Sequence, residues 1–178
     1  VAAGDFTLGI PGTGATDFAT TPIPSLLFDR WTRESGPPVR GVIAEQRVAI
    51  SDRSLNGIAQ ITGPAYNPKF IWPVAAMMTQ AQARQLGAKA GWQDREFKAK
   101  RNGALRLIDE VEYLDSEPTP HSRTLLSAIS EGWNSSYQYG YGVFDVLIVL
   151  PQDSRQLIGR WNDSGEEARL VTFTLLEV

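Results

Sequence analysis

The sequence of 178 residues contains no cysteine and a single histidine, His121. The absence of cysteine excludes disulfide frameworks, thiolate zinc sites, iron–sulfur clusters and cysteine nucleophiles. A single histidine excludes a metal site built from several imidazoles, and it leaves a Ser-His-Asp triad possible only through His121. We therefore expect neither a metal site nor a cofactor.

Excess basic charge and long apolar runs are also missing. The 17 lysines and arginines are outnumbered by 20 acids, so the net charge of −3 predicts no general nucleic-acid surface. The longest apolar run, residues 146–150, is far shorter than the ~20 residues that span a bilayer. We therefore expect no membrane partner and no sequence-specific nucleic-acid partner.

The first forty residues differ in composition from the rest of the chain. Glycine and threonine recur up to Thr21, and prolines interrupt any regular β ladder. This composition predicts an extended arm over residues 1–40 with at most short strands. A group of apolar residues would anchor the arm, either to the same domain or to a neighbouring subunit: Leu26, Leu27, Phe28 and Trp31.

Residues 41–178 have the pattern of one domain. Alternating apolar and polar residues predict strands over residues 41–77. Thr79 is a good N-cap for a helix near residues 79–91. The core-facing side of that helix would carry apolar residues at helical spacing: Ala83, Leu86 and Ala90.

Strand patterns return in the C-terminal part of the chain. They cover residues 104–114 and 143–150, and a hairpin is predicted over residues 156–178. The spacing of leucine and isoleucine in residues 122–131 fits a short helix instead. The whole pattern predicts a mostly β (α+β) fold, a β-sandwich or barrel of about seven to eight strands with one packed central helix and the extended N-terminal arm.

Two motifs suggest chemistry, and each has a structural alternative. The acidic cluster at residues 109–117 could supply a carboxylate pair for glycoside hydrolysis, with Asp109 and Glu112 as the candidates, or oxygen ligands for a hard cation; alternatively it is a solvated strand face. The glycines at positions 9, 12 and 14 lack the Lys-Ser/Thr that a phosphate-binding loop requires, which favours a flexible arm. We expect the protein not to be an enzyme and assign no catalytic, cofactor-binding or metal-binding residue.

An aromatic run is the most distinctive local feature of the sequence. Its members lie within twelve residues: Trp133, Tyr137, Tyr139, Tyr141 and Phe144. On an extended chain the three tyrosines would point the same way. Tyrosine and tryptophan among small polar residues suit a protein interface, core packing or stacking against a sugar, and the sequence leaves all three interpretations open.

Several pieces also follow one another in a characteristic order between residues 41 and 115. They are a strand with Arg53 and Gly57, Tyr66-Asn67-Pro68, a strand with Trp72, a helix opened by Met78-Thr79-Gln80-Ala81, Trp92, and the segment Asn102-Gly103-Ala104-Leu105-Arg106-Leu107-Ile108-Asp109-Glu110. This order resembles bacteriophage minor tail or distal-tail-type structural proteins, and residues 169–178 resemble the last strand of such domains.

The resemblance implies a tail-tube-like β fold and a structural subunit of a phage tail or tail-like particle, at the tube end, distal tail or baseplate. Such a subunit acts by ring assembly without catalysis. Its partners would be copies of itself and other tail or baseplate proteins, and its location the virion tail after synthesis in the host cytoplasm. The contacts would come from the anchor group of the arm and from the aromatic run: Leu26, Leu27, Phe28, Trp31, Trp133, Tyr137, Tyr139 and Tyr141.

The hypothesis also predicts that deletion of residues 1–24 stops assembly and leaves the fold intact. The alternative function is a carbohydrate-binding β-sandwich module that uses the aromatic cluster from Trp133 to Tyr141.

Overall fold

The computed structural model describes residues 5–29, 41–42, 49–53, 59–62, 69–118, 123–151, 155–161 and 166–178. These ranges contain eleven β-strands and one α-helix. In chain order they are β1 (Phe6–Gly9), β2 (Leu26–Phe28), β3 (Gly41–Val42), β4 (Ala49–Arg53), β5 (Ala59–Thr62), β6 (Phe70–Thr79), α1 (Gln80–Lys98), β7 (Leu105–Ser116), β8 (Leu125–Ser130), β9 (Gln138–Val149), β10 (Arg155–Trp161) and β11 (Glu166–Glu177).

Nine of the strands form one antiparallel sheet. Seven of them follow the path β2-β1-β7-β9-β11-β6-β3 and make a nearly closed, barrel-like wall. The other two, β8 and β10, pair with the parts of β9 and β11 that splay away from each other, while β4 and β5 form a separate two-stranded sheet. The predicted mostly β fold with one helix is confirmed.

The core fills the inside of this wall, and alternate residues of each strand build it. In β6, Trp72, Val74, Ala76 and Met78 are buried, while the residues that alternate with them are partly exposed. The same period of two selects the core residues of β1, β7, β9 and β11, as expected for strands with one buried face. Each large apolar side chain buried in this way stabilises the fold by about 1.5–3 kcal/mol.

The helix begins where the sequence predicts. Thr79 is the N-cap, and its hydroxyl accepts a hydrogen bond from the Gln82 amide (3.2 Å) while the Gln82 side chain accepts one from the Thr79 amide (2.9 Å). The helix continues past residue 91 to Lys98, despite two glycines. Packing explains the extra length, because the Gln93 side chain exchanges two hydrogen bonds with the backbone of Ile148.

Within residues 5–29, strands β1 and β2 join the sheet, so this part of the predicted arm is anchored to the same domain, one of the two possibilities that the sequence left open. Strand β1 pairs with β7 on one side and with β2 on the other, and Phe6 and Leu8 are completely buried. The prediction of at most short strands is confirmed for this segment. Glycine and proline interrupt the strands, but the apolar residues between them are enough to complete the barrel.

The predicted helix over residues 122–131 is wrong. Residues Leu125–Ser130 form β8, which pairs with β9. A bulge at Ser127, whose φ is 55°, adds one residue between Leu126 and Ile129. The bulge brings these two side chains to one face at a spacing of three, which is also the spacing of a helix face.

Candidate functional site

Two β-bulges meet β9 between Tyr139 and Gly142. On one side, β7 inserts residues 110–112 between the pairs Asp109–Gly142 and Tyr113–Tyr141. On the other side lies the bulge of β8 at Ser127. Because a bulge changes the face on which the following side chains lie, Tyr113 leaves the core side to which Asp109 belongs.

The bulges create an outward-facing group of side chains that we call the tyrosine patch, since residues paired across antiparallel strands share a face. Its members come from three adjacent strands: Tyr113, Leu126, Ile129, Tyr139 and Tyr141. The ring of Tyr113 lies 5.7 Å from that of Tyr139 and 4.8 Å from that of Tyr141. Tyr113 is 57% exposed and Ile129 is 47% exposed, so the patch is open to a partner.

Glycines alternate with the tyrosines of the patch because the inner side of β9 has no room. A Cβ atom at Gly140 would lie 2.9 Å from the carbonyl oxygen of Leu126, and one at Gly142 would lie 2.5 Å from the Phe144 ring. The sequence Tyr139-Gly140-Tyr141-Gly142 therefore places rings outside and bare backbone inside. A hydrogen bond with the Tyr113 hydroxyl raises the pKa of Tyr141, so the Tyr141 phenol is neutral at physiological pH.

Trp133 and Tyr137 form a second aromatic pair on the turn between β8 and β9. Their ring centroids are 4.7 Å apart, and Trp133 is 71% exposed. The Tyr137 amide donates to the carbonyl of Asn134 (3.0 Å), and the Glu131 amide donates to the carbonyl of Tyr137 (2.8 Å), which closes the turn. The aromatic run is thus divided, because Tyr137 packs on Trp133 before β9 begins and Phe144 lies in the core.

The predicted anchor group of the arm is divided as well. Leu26 and Phe28 are each only 3% exposed, and the Phe28 ring packs against Phe6 (5.5 Å) and Phe173 (5.6 Å). This burial corrects their prediction as contacts to a neighbouring subunit, since a core side chain is not accessible to one. Leu27 points outward and is 39% exposed, whereas Trp31 lies outside the described residues.

The two candidate carboxylates of the acidic cluster, Asp109 and Glu112, differ in burial. Asp109 is completely buried, and its carboxylate accepts hydrogen bonds from the Trp72 indole (3.0 Å) and the Val111 amide (3.1 Å). Glu112 lies in the bulge and is exposed. A glycosidase needs both carboxylates to flank one bond. The geometry instead gives Asp109 a structural role that holds the indole of Trp72 inside the barrel.

A buried ion pair that the sequence did not reveal supports the patch from behind. Arg123 and Glu177 pair with side chains only 11% and 10% exposed, and the Arg123 guanidinium lies 4.7 Å from the Phe70 ring centroid. The Ser116 hydroxyl accepts from the Arg123 amide (2.7 Å) and donates to its carbonyl (3.0 Å). The pair joins segments 54 residues apart, so no local pattern could have indicated it.

The glycine-rich loop is closed on itself. The Gly12 amide donates to the Asp17 carbonyl (2.9 Å), and the Gly14 amide donates to the Asp17 carboxylate (3.1 Å). Arg106 donates to the carbonyls of Gly14 and Asp17, each at 2.7 Å. A phosphate-binding loop presents its amides to the ligand, whereas this loop uses these two internally.

Within the ranges that the structure describes, no group of three or more His, Asp and Glu side chains could hold a metal ion. In the same ranges, α1 lacks the apolar length needed to cross a membrane. Comparison with protein-family models finds no match for the chain, and neither curated proteins nor solved structures match it.

Proposed function

We propose that the chain is a structural subunit of a phage tail or tail-like particle and that it acts by ring assembly without catalysis. The observation that carries the proposal is the concentration of exposed apolar surface where β7, β8 and β9 meet. Three of the seven large exposed hydrophobic residues in the described ranges lie there: Tyr113, Ile129 and Trp133. Exposed apolar surface of this kind marks interaction sites on proteins.

The edge of β8 supports the same proposal. This strand pairs only with β9 in the described ranges, and its sequence, Leu-Leu-Ser-Ala-Ile-Ser, contains no charge and no proline. Charges and prolines normally protect edge strands from pairing with other chains. Strand β10, the other long edge of this sheet, carries two arginines, and the edge strands β2 and β3 have only three and two residues. Strand β8 is therefore the edge best suited to a neighbouring subunit.

The rigidity of the surface favours assembly over a mobile binding loop. The Arg123–Glu177 pair and Ser116 hold the ends of four strands together directly behind the patch. A surface that is fixed before binding loses little conformational entropy when it meets its partner. Repeated subunits that join through such surfaces can close into rings.

The alternative is a carbohydrate-binding module, and the exposed ring of Tyr113 beside the half-buried rings of Tyr139 and Tyr141 favours it. Tyrosine rings with hydroxyl groups at their edges can stack on a sugar face and hydrogen-bond to it. Saturable glycan binding by a monomer, lost in Tyr139→Ala and kept in a Tyr137→Ala control, would select this function. The control separates the patch from the Trp133–Tyr137 pair.

The test of the leading proposal is the solution mass over a dilution series by light scattering, with negative-stain images of the same sample. We expect particles of several subunits at micromolar concentration and closed rings in the images. Ile129→Asp should return the protein to monomers, because a buried charge would oppose pairing at the β8 edge. A wild-type chain that is monomeric at every concentration contradicts self-assembly. Screening for glycan binding is then the next experiment.

A further inference from the structure

The two ends of β7 carry charges of opposite sign. Residues 107–118 contain five acids and no lysine or arginine, whereas residues 95–101, just before the strand, contain four bases and one acid. Strand β7 is twelve residues long, so Asp115, near its far end, lies roughly 30 Å from its start. The chain therefore has an acidic end and a basic end.

The acidic end includes the tyrosine patch. Asp115 pairs across from Tyr139 and shares its outward face, and Glu117 follows two positions later; both are exposed. Glu110 also lies close, because its charge adds to the hydrogen bond with Tyr113 in raising the pKa of Tyr141. An aromatic surface with an acidic border suits a partner that offers apolar and cationic groups together.

The basic end is the last turn of α1 and the turn that follows it. Phe97 is 46% exposed there, although large apolar side chains at a helix end are usually covered. Lys98 and Arg101 form ion pairs with Asp94 and Glu96, whereas Arg95 and Lys100 have no ion pair within the described ranges. Two exposed positive charges and an exposed aromatic ring thus belong to the same end of the helix.

The backbone at this end has the geometry of a glycine-terminated helix but carries a lysine. The Arg101 amide donates to the carbonyl of Glu96 (2.8 Å), and the Lys100 amide donates to that of Phe97 (2.9 Å). Lys100 between them has φ of 56°, the left-handed conformation that glycine adopts more readily. Glycine would adopt this conformation with less strain than lysine. We infer from the strain that the Lys100 side chain has a function.

We propose that the tyrosine patch of one copy binds the basic helix end, Arg95 to Arg101, of a second copy, so that subunits join head to tail. This inference rests on the proposed assembly function and names the two surfaces involved. Charge complementarity identifies the occupant as another copy, because the same chain supplies an acidic aromatic surface and a basic one with an exposed phenylalanine. Two different surfaces form a heterologous contact, which generates rings or stacks rather than an isolated dimer.

An exchange of charges between the two ends tests the proposal. The variant Asp115→Lys/Glu117→Lys has two basic ends, and the variant Arg95→Glu/Lys100→Glu has two acidic ends. All four residues are exposed, so circular dichroism should show unchanged folds. Each variant alone should associate at least about tenfold more weakly than the wild type in low salt.

A 1:1 mixture of the two variants should recover association, because every contact again joins opposite charges. The control is Arg84→Glu, an exposed arginine in the first half of the same helix, which should leave the mass unchanged. Wild-type mass in both single-end variants, or a mixture that stays dissociated, overturns the head-to-tail contact and leaves the assembly function standing. A wild-type chain without any self-association overturns both.

Lys100→Gly gives an independent readout of the basic end. Glycine relieves the left-handed strain, so the melting temperature of the subunit, measured under dissociating conditions, should rise by roughly 1–4 °C. Self-association should weaken at the same time, because the charge is lost. A variant with unchanged association would contradict the role of Lys100 in the contact.

Discussion

At the scale of single residues, Lys89 is the least expected member of the core. It lies on α1, is completely buried, and donates a hydrogen bond of 2.6 Å to the carbonyl of Pro24. Burial lowers the pKa of Lys89 from 10.5 to about 8. The charged form of this side chain therefore destabilises the folded state at neutral pH, and its single bonded carbonyl does not compensate fully.

The shifted pKa of Lys89 predicts that stability rises with pH in an alkaline window. The folded pKa of about 8 lies below the unfolded value of 10.5, so between them the unfolded chain binds more protons. The free energy of unfolding should increase by about 1–2 kcal/mol between about pH 7.5 and pH 9.5. Urea denaturation at several pH values measures this increase. Lys89→Met should remove the slope, and an equal rise in that variant would contradict the assignment.

The same residue shows what a sequence can reveal about a helix face. The spacing of Ala83, Leu86 and Ala90 predicted which side of α1 faces the core, and Ala83 and Leu86 are indeed completely or almost completely buried. Alanine is apolar and lysine is charged, so residue type predicts that Ala90 is buried. Lys89 beside it is nevertheless the more buried of the two. The hydrogen bond to Pro24 made this burial possible, and it joins residues 65 positions apart that no local pattern connects.

At the scale of elements, the contact between β8 and β9 depends on a bare backbone at Gly140. A Cβ atom there would lie 2.9 Å from the Leu126 carbonyl and 3.2 Å from the Ala128 Cα, both of which are backbone atoms that cannot turn away. Gly140→Ala should therefore lower the free energy of unfolding by about 1–3 kcal/mol. It should also weaken assembly, because β8 would move from its place beside the tyrosine patch.

Gly132 offers a matched control for Gly140 in the same hairpin. A Cβ atom at Gly132 meets nothing within 4 Å, so Gly132→Ala should change stability by no more than about 0.5 kcal/mol. Urea denaturation of both variants gives the comparison. Equal losses in the two would show that the close approach at Gly140 does not limit the position of β8.

The bulges explain why the positions of helices and strands were easier to predict than the side of each strand that is buried. The start of α1 at Thr79 followed from a local capping pattern, and the strands of the core followed from a period of two. A bulge interrupts this period of two, and no residue type in the sequence indicates where it lies. Ser127 made β8 resemble a helix. The insertion at residues 110–112 places Tyr113 in the patch, although a period of two counted from the buried Asp109 would put it on the inner face.

At the scale of the whole molecule, the barrel connects two surfaces of opposite charge through one rigid wall. Strand β7 leads from the basic helix end to the tyrosine patch, and the Arg123–Glu177 pair fixes its far end through Ser116. The tyrosine patch and the barrel wall are built from the same strands, because the bulges that expose the tyrosines lie in strands that enclose the core. Changes at either surface that leave the core intact should therefore alter association and spare the fold.

The N-terminal segment behaves differently, because it belongs to the wall itself. Deletion of residues 1–24 removes β1, which separates β7 from β2 and buries Phe6 and Leu8 completely. Loss of these two side chains alone removes about 3–6 kcal/mol, a large part of the 5–15 kcal/mol by which domains are stable. The deleted chain should therefore lose cooperative thermal unfolding, contrary to the arm hypothesis, which predicts an intact fold.

Point variants separate this structural role from a role in assembly. Phe6→Ala should lower the free energy of unfolding by about 3–5 kcal/mol, because it opens a cavity beside Phe28. Thr7→Ala, on the partly exposed face of the same strand, should have little effect on stability. Thermal denaturation followed by near-ultraviolet circular dichroism measures both. A stable, cooperatively folding deletion variant that fails only to assemble would restore the segment as an arm and remove β1 from the wall that holds the domain together.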